Sequence, residues 1–375
     1  MDASQRIDSV SSSNLGLPMK TLPCHSRRSF LRASLFGSAA TLAAPWLLSR
    51  AVAAAAEVPD AFTSRVAVTT GEDRADLAFR GLKPFADRIA RSVGSKRVII
   101  KPNNVAIDNQ LSASHAQNIE GILEFLKSIG KTDVVIAESA ANGPTLDGFA
   151  NYKYNEIAAK YGAKLMDLDQ EGFDVLHCFD ETDFRPHACR MSKLLLDTNS
   201  FIISAAKLKT HDRVVATLSL KNIVVGAPIK DPGFRWGPGA KAGAKNDKPL
   251  THGSGFRGIN YNLFALAPRL HPHLSVIDGY EGMEGEGPVG GTPVNHRVCV
   301  VSPDWLAADR IAIELMGIDF AQVGYLNYCG QARMGETDLA KIQILGPALK
   351  EHVRTYKLAK NLDQQLIWKQ PARKA

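Results

Sequence analysis

The feature that most constrains the fold of this 375-residue chain is an alternation. From residue 65 onward, short runs of β-branched and aliphatic residues take turns with segments whose apolar residues recur every three to four positions. Residues 65–70, 96–100, 132–137, 163–168, 200–208, 274–278, 297–301 and 341–345 read as strands. Residues 76–93, a stretch capped by Ser112 or Ser114 and ending near 129, 154–161, 258–270 and 305–316 read as helices, and the strongly apolar 213–225 as helix or strand, with helix favoured. Strands separated by helices require crossover connections. The expected class is therefore α/β, a mainly parallel sheet with helices on both faces. The length fits one large domain over about 60–350, or two lobes at about 60–195 and 196–350. Residues 230–255 form a Gly-, Pro- and Lys-rich loop insertion, which in a compact domain points to function or disorder. Residues 351–375 read as a loose polar tail.

Ahead of the alternation stands Ser26-Arg27-Arg28-Ser29-Phe30-Leu31-Arg32, then an Ala-rich apolar run over 33–48 and small-residue cleavage sites after Arg50. That order predicts a twin-arginine (Tat) signal over residues 1–53, the Tat export machinery as a partner and a periplasmic destination. An uncleaved anchor is the alternative. The run is shorter than the roughly 20 apolar residues of a spanning helix, and Pro45 interrupts it. No later stretch is apolar for long enough, so no stable membrane span is expected after cleavage.

The whole-chain net charge is +7, but residues 1–53 hold six Lys and Arg against two acids, and removing that excess of four leaves +3. So small a charge is not a nucleic-acid footprint, and no nucleic-acid partner is expected. Cys24 leaves with the signal, while Cys178, Cys189, Cys299 and Cys329 remain without Cys-x-x-Cys spacing. A ferredoxin-type iron–sulfur cluster or zinc ribbon is not expected. The four read as small core residues, with a Cys178–Cys189 disulfide as the alternative. Gly-x-Ser-x-Gly, a Walker loop and a His-Glu-x-x-His helix are all missing, which lowers serine hydrolase, P-loop and zincin chemistry.

Open parallel sheets bind ligands at the carboxyl ends of their strands. Lys101-Pro102-Asn103-Asn104, Glu138-Ser139, Lys207-Leu208-Lys209-Thr210-His211, Asp278-Gly279 and Ser302 with Asp304 and Asp309 all follow expected strands. Alternation puts Lys207 and Lys209 on one side. Asp212 would cap the next helix, whose free N–H groups would help the lysines hold an anion. Lys221 and Asn222 add a charge and an amide. The alternative for the lysines is a solvated pair beside a capping network. His211 reads as a general base or metal ligand. The acidic, glycine-rich turn from Glu281 to Pro288 offers Glu281 and Glu284 to a divalent cation, with Asp304 as a further candidate that can instead cap a helix.

Taken in order, Lys101-Pro102-Asn103, Lys207 to His211, Ser219-Leu220-Lys221-Asn222, Asp278 to Pro288 and Asp304 with Ala308-Asp309 resemble the bacterial and archaeal family called domain of unknown function 362, over about 65–320. Some members carry ferredoxin-like segments, but the redox role they suggest does not carry over to a chain without such cysteines. The expected function is an enzyme acting on a small anionic substrate, its cofactor unknown, with a divalent metal as an option. Lys101, Asn103, Lys207, Lys221 and Asn222 would bind substrate, His211, Lys209 and Asp278 would be catalytic, and residues 230–255 would close over the ligand. The alternative is a non-catalytic binding or accessory protein in cofactor or redox assembly.

Overall fold

Twelve consecutive buried residues, Ser200–His211, form the strand around which the protein is organised. The computed structural model describes residues 63–232, 234–236 and 241–371; the expected export signal lies outside the described residues. The strands are β1 (Ser64–Thr70), β2 (Arg97–Lys101), β3 (Val134–Glu138), β4 (Lys164–Asp167), β5 (Phe173–Asp180), β6 (Arg185–Ser192), β7 (Ser200–His211), β8 (Val215–Thr217), β9 (Leu274–Glu284), β10 (Thr292–Ser302) and β11 (Ile342–Leu345). The helices are α1 (Arg74–Leu82), α2 (Ala86–Val93), α3 (Ala116–Ser128), α4 (Thr145–Asn151), α5 (Tyr154–Tyr161), α6 (Lys193–Leu196), α7 (Ser219–Gly226), α8 (Phe256–Leu266), α9 (Trp305–Leu315), α10 (Gly324–Gln331) and α11 (Leu362–Gln365). Among the described residues no helix is long and apolar enough to cross a membrane.

The main sheet runs β11-β1-β10-β9-β7-β2-β3-β4, with β8 folded back on β7. β4, β3, β2, β7 and β9 are parallel, as expected. Their uninterrupted apolar runs suit burial on both faces. Ile99, Leu208, Ile277 and Val300 pack on one face with Ile223 of α7, Leu263 of α8 and Ile311 of α9. Ile100, Ile203, Val276 and Val301 pack on the other with Leu77 of α1 and Ile122 of α3. Each such side chain contributes roughly 1.5–3 kcal/mol when fully buried. One sheet therefore crosses both expected lobes, because β7 from the second half pairs with β2 from the first.

Several expectations need correction. β10 runs antiparallel to both neighbours, because only a short turn joins it to β9 and a parallel return needs a longer crossover. Residues 76–93 are two helices, since Pro84 cannot donate into a continuous one and a 3₁₀ turn replaces the bond. Neither Ser112 nor Ser114 caps α3: His115 does, through Nδ1 and the Gln117 N–H. The Ser114 hydroxyl instead donates to Ala205 O at 2.5 Å. Residues 213–225 are not one helix, because β7 and β8 make a tight turn before α7 begins. The β5–β6 hairpin has no counterpart in the sequence reading; its outward residues are too mixed to alternate cleanly. All four described cysteines are buried and free.

The expected loose segments are anchored. Arg190 of β6 binds Asp231 at 2.6 Å and Asp247 at 2.9 Å, pinning both of these residues to the hairpin. A 3₁₀ turn, Lys248–His252, follows. In the tail, Gln365 is buried and accepts from Val215 N at 2.6 Å. Val215 has φ 68, a left-handed conformation costly for a β-branched residue, so that bond props a strained turn.

Candidate ligand-binding site

The carboxyl ends of β2, β3 and β7 meet α7, Trp236 and residues 246–255 around a cavity of about 530 Å³. Polar groups cluster there because each parallel strand delivers its last residues to the same edge. Lys101, Asn103 and Asn104 come from β2 and its extension, Glu138 and Ser139 from β3, and His211 and Arg213 from the β7 end. Thr217, Lys221 and Asn222 follow from β8 and α7, and Trp236, Lys248 and His252 from the insertion.

One part of the wall is internally neutralised. Lys101 Nζ donates to Glu138 Oε1 at 2.6 Å and to Pro102 O at 3.0 Å. Burial pushes the Lys101 amine below its ordinary value, and Glu138 opposes that push. Glu138 also accepts from Ser139 N at 2.8 Å and Asn104 N at 2.9 Å, so both carboxylate oxygens are engaged. Asn222 knits the strands together: its Oδ1 accepts from Asn103 Nδ2 at 2.9 Å and its Nδ2 donates to Lys101 O at 3.1 Å. Gly226 leaves room for this pair, since a Cβ there would stand 2.1 Å from Lys101 Cε. Deeper still, Lys230 pairs with Asp169, which accepts from Ser139 Oγ at 2.5 Å.

The other part of the wall is cationic. Lys221 is buried, and burial lowers its pKa to about 8. Lys248 is buried too, its Nζ donating to Pro228 O at 2.7 Å and Gly226 O at 3.3 Å, with its pKa lowered to about 7 chiefly by burial. Among the described residues neither amine has a carboxylate within salt-bridge distance; Asp212 acts on Lys221, and Asp169 and Glu138 act on Lys248, only from farther off. Arg213 stands at the rim, 5.4 Å above the Phe256 ring. His211 accepts from Arg213 N at 2.9 Å through Nδ1. The neutral ring therefore carries its proton on Nε2. The Asp212 oxygen 3.2 Å from that same Nδ1 meets a lone pair. Burial, then the Lys221 charge, holds His211 far below the ordinary imidazole value. Burial, helped by Lys221, brings His252 down to about 4. Thr217 Oγ1 and Asn104 Nδ2 are buried without a hydrogen-bond partner.

The sequence-derived site residues divide. Lys101, Asn103, His211, Lys221 and Asn222 share this cavity. Lys209 stands behind it, donating to Asn103 Oδ1 at 2.5 Å and Ser112 O at 2.7 Å; burial first, then Lys221 and Lys207, holds it well below the ordinary lysine value. Lys207 and Asp278 fall outside the cavity lining. Asp278 lies 3.4 Å from Arg74 of α1, and burial lowers Lys207 against the pull of Asp278. Glu284 accepts from Lys357 N at 2.9 Å, while Glu281 lies on β9 opposite Asn295. Asp304 caps α9 by accepting from Leu306 N and Ala307 N, at the opposite sheet edge because β10 is antiparallel. Glu281, Glu284 and Asp304 therefore do not converge, and no group of three His, Cys, Asp or Glu among the described residues is arranged around a metal position. The glycine-rich turn packs closely on β7, where a Cβ on Gly287 would stand 2.0 Å from Thr210 O, and brings Pro288 to the cavity lining. Asp212 does not cap α7. Asp309 does, accepting from Ser219 N at 2.8 Å and Leu220 N at 3.1 Å, so a carboxylate of the protein already fills the expected anion position at that helix start. Sequence reasoning did not single out Lys248, Trp236 or Thr217; the first two lie within the 230–255 loop expected to close over the ligand, and Thr217 lies in the expected 213–225 helix.

Fold and site together define a class: an open α/β sheet with a lysine-rich cavity at its strand ends. The chain belongs to the family described as domain of unknown function (DUF362), whose model matches residues 98–314. It is also similar to a thylakoid-associated protein of Synechocystis sp. (strain ATCC 27184 / PCC 6803 / Kazusa), 27% identical over 146 residues, which is 39% of this chain and 40% of that protein. No solved structure matches.

Proposed function

We propose that the cavity binds a small organic anion. The observation that carries this reading is that Lys221 and Lys248 are two buried amines in the cavity lining with no carboxylate in salt-bridge distance among the described residues. A buried charge is stable only when paired, so an anionic ligand would restore what burial takes away. Arg213 at the rim would draw the anion in, and the His211 Nε2–H and Thr217 hydroxyl would orient it. The Nδ1 bond favours binding over proton abstraction, because the histidine lone pair is already used. An enzymatic role would take its base from a neutral lysine amine instead. The divalent metal has no part in this reading, since its expected ligands lie apart. Export through the Tat route stays a proposal resting on residues 26–32.

The test is calorimetric titration with sulfate, whose charge does not change near neutrality. Lys221→Gln and Lys248→Gln should each weaken binding about tenfold or more, the scale of one charge-assisted hydrogen bond. Equal affinity in wild type and both variants would sink the proposal.

A further inference from the structure

Resting on that anion reading, we infer that the ligand is amphiphilic: an anionic head group joined to an aromatic or aliphatic body. The cavity has more room than a bare oxyanion needs. Its volume of about 530 Å³ lies in the range of drug-sized organic ligands. An inorganic anion takes the space of only a few waters at ~30 Å³ each.

The charges are also unevenly placed. Lys101 and Lys230 are spent on hydrogen-bonded partners, Glu138 and Asp169. Lys221 and Arg213 act on His252, neither has a carboxylate in salt-bridge distance among the described residues, and the Thr217 hydroxyl, unpartnered among them, comes from the same β8–α7 stretch. The head group belongs with these residues. The rest of the lining includes Val105, Ala141, Val225, Pro249 and Pro288, whose side chains are apolar, and Trp236, whose large ring carries a single N–H donor. Trp236 is 59% exposed and packs edge-on against Phe234 at 5.1 Å, leaving indole surface for a ligand's apolar body. Apolar walls with a few convergent polar groups are how small-molecule sites fix both affinity and orientation.

The experiment compares phenyl phosphate, inorganic phosphate and benzyl alcohol on the wild type, Trp236→Phe, Trp236→Ala and Lys221→Gln. Binding is followed by calorimetry and by tryptophan fluorescence. Phenyl phosphate should bind at least tenfold tighter than inorganic phosphate and change the emission. Trp236→Ala should lower only the phenyl phosphate affinity. Trp236→Phe should keep that affinity while losing the emission change, a readout that a merely structural tryptophan would not give. Lys221→Gln should weaken both phosphates. Equal affinities for the two phosphates would overturn the amphiphile and leave the anion site standing. Benzyl alcohol binding as tightly as phenyl phosphate, with Lys221→Gln silent, would overturn the anion reading itself. Each variant's melting curve identifies a fold that has failed. Should Trp236→Ala fail, Val225→Ala tests the same wall and carries the same two outcomes.

Discussion

Replacing Asp309 by Asn should make the protein less sensitive to pH in a direction that the structure fixes. The carboxylate is fully buried beneath the first turn of α7 and accepts from two backbone N–H groups. Burial outweighs those bonds, so the native carboxyl holds its proton up to about 7, against an ordinary value of 3.8. In the unfolded chain it releases the proton near that ordinary value. Between the two, the native state binds more protons than the unfolded state, so stability falls as pH rises. At ~1.4 kcal/mol per pH unit the full loss is on the order of 4 kcal/mol, complete above about pH 7. Asn imitates the protonated acid: one oxygen accepts, and no charge is buried. Urea unfolding of wild type and Asp309→Asn at half-unit steps from pH 4.5 to 8.5 isolates this group, because other titrations cancel in the difference. The variant should gain on the wild type by a few kcal/mol across the range. A difference constant to within about 0.5 kcal/mol would refute the reasoning. Asp309→Ala should instead be destabilising at every pH, since it leaves two N–H donors unmet at about 1–3 kcal/mol each.

Glu138→Gln removes the counter-charge of Lys101 and should cost about 3–5 kcal/mol in urea unfolding, as breaking a buried pair does. Sulfate affinity should fall as pH rises from 6 to 9, because Lys248 and then Lys221 lose their protons near 7 and 8; a flat profile would count against both lysines as ligands. Replacing Arg27 and Arg28 by Lys should leave the protein in the cytoplasmic fraction if the Tat expectation is right, whereas unchanged periplasmic recovery would discard it.

The parallel half of the sheet was legible because its strands are buried on both faces and announce themselves as apolar runs. Tyr154–Tyr161 ended where Gly162 allows a left-handed residue, φ 68. Strand parity groups Lys207 with Lys209, yet it foresees neither the register shift between them nor their depth, and Lys209 proves to support the cavity from behind. Direction was the harder problem. A strand reads the same both ways, so Asp304 was placed at the wrong edge. Long-range partners were invisible for the same kind of reason: nothing near residue 219 says that a carboxylate ninety positions later will cap it. Lys248 looked like one more charge in a polar loop until Arg190, from an unrecognised hairpin, fixed that loop against the sheet.

The first and last described strands are neighbours, with Ser64 beside Ile342, and the turn that carries His211 leans on Gln365. A ribosome must have passed Ile342 for the first contact and Gln365 for the second before either can form. Such distant pairings are slow to close. The cavity should therefore mature only after Gln365 has been made, and a nascent chain ended before Gln365 should emerge with His211 unmoored.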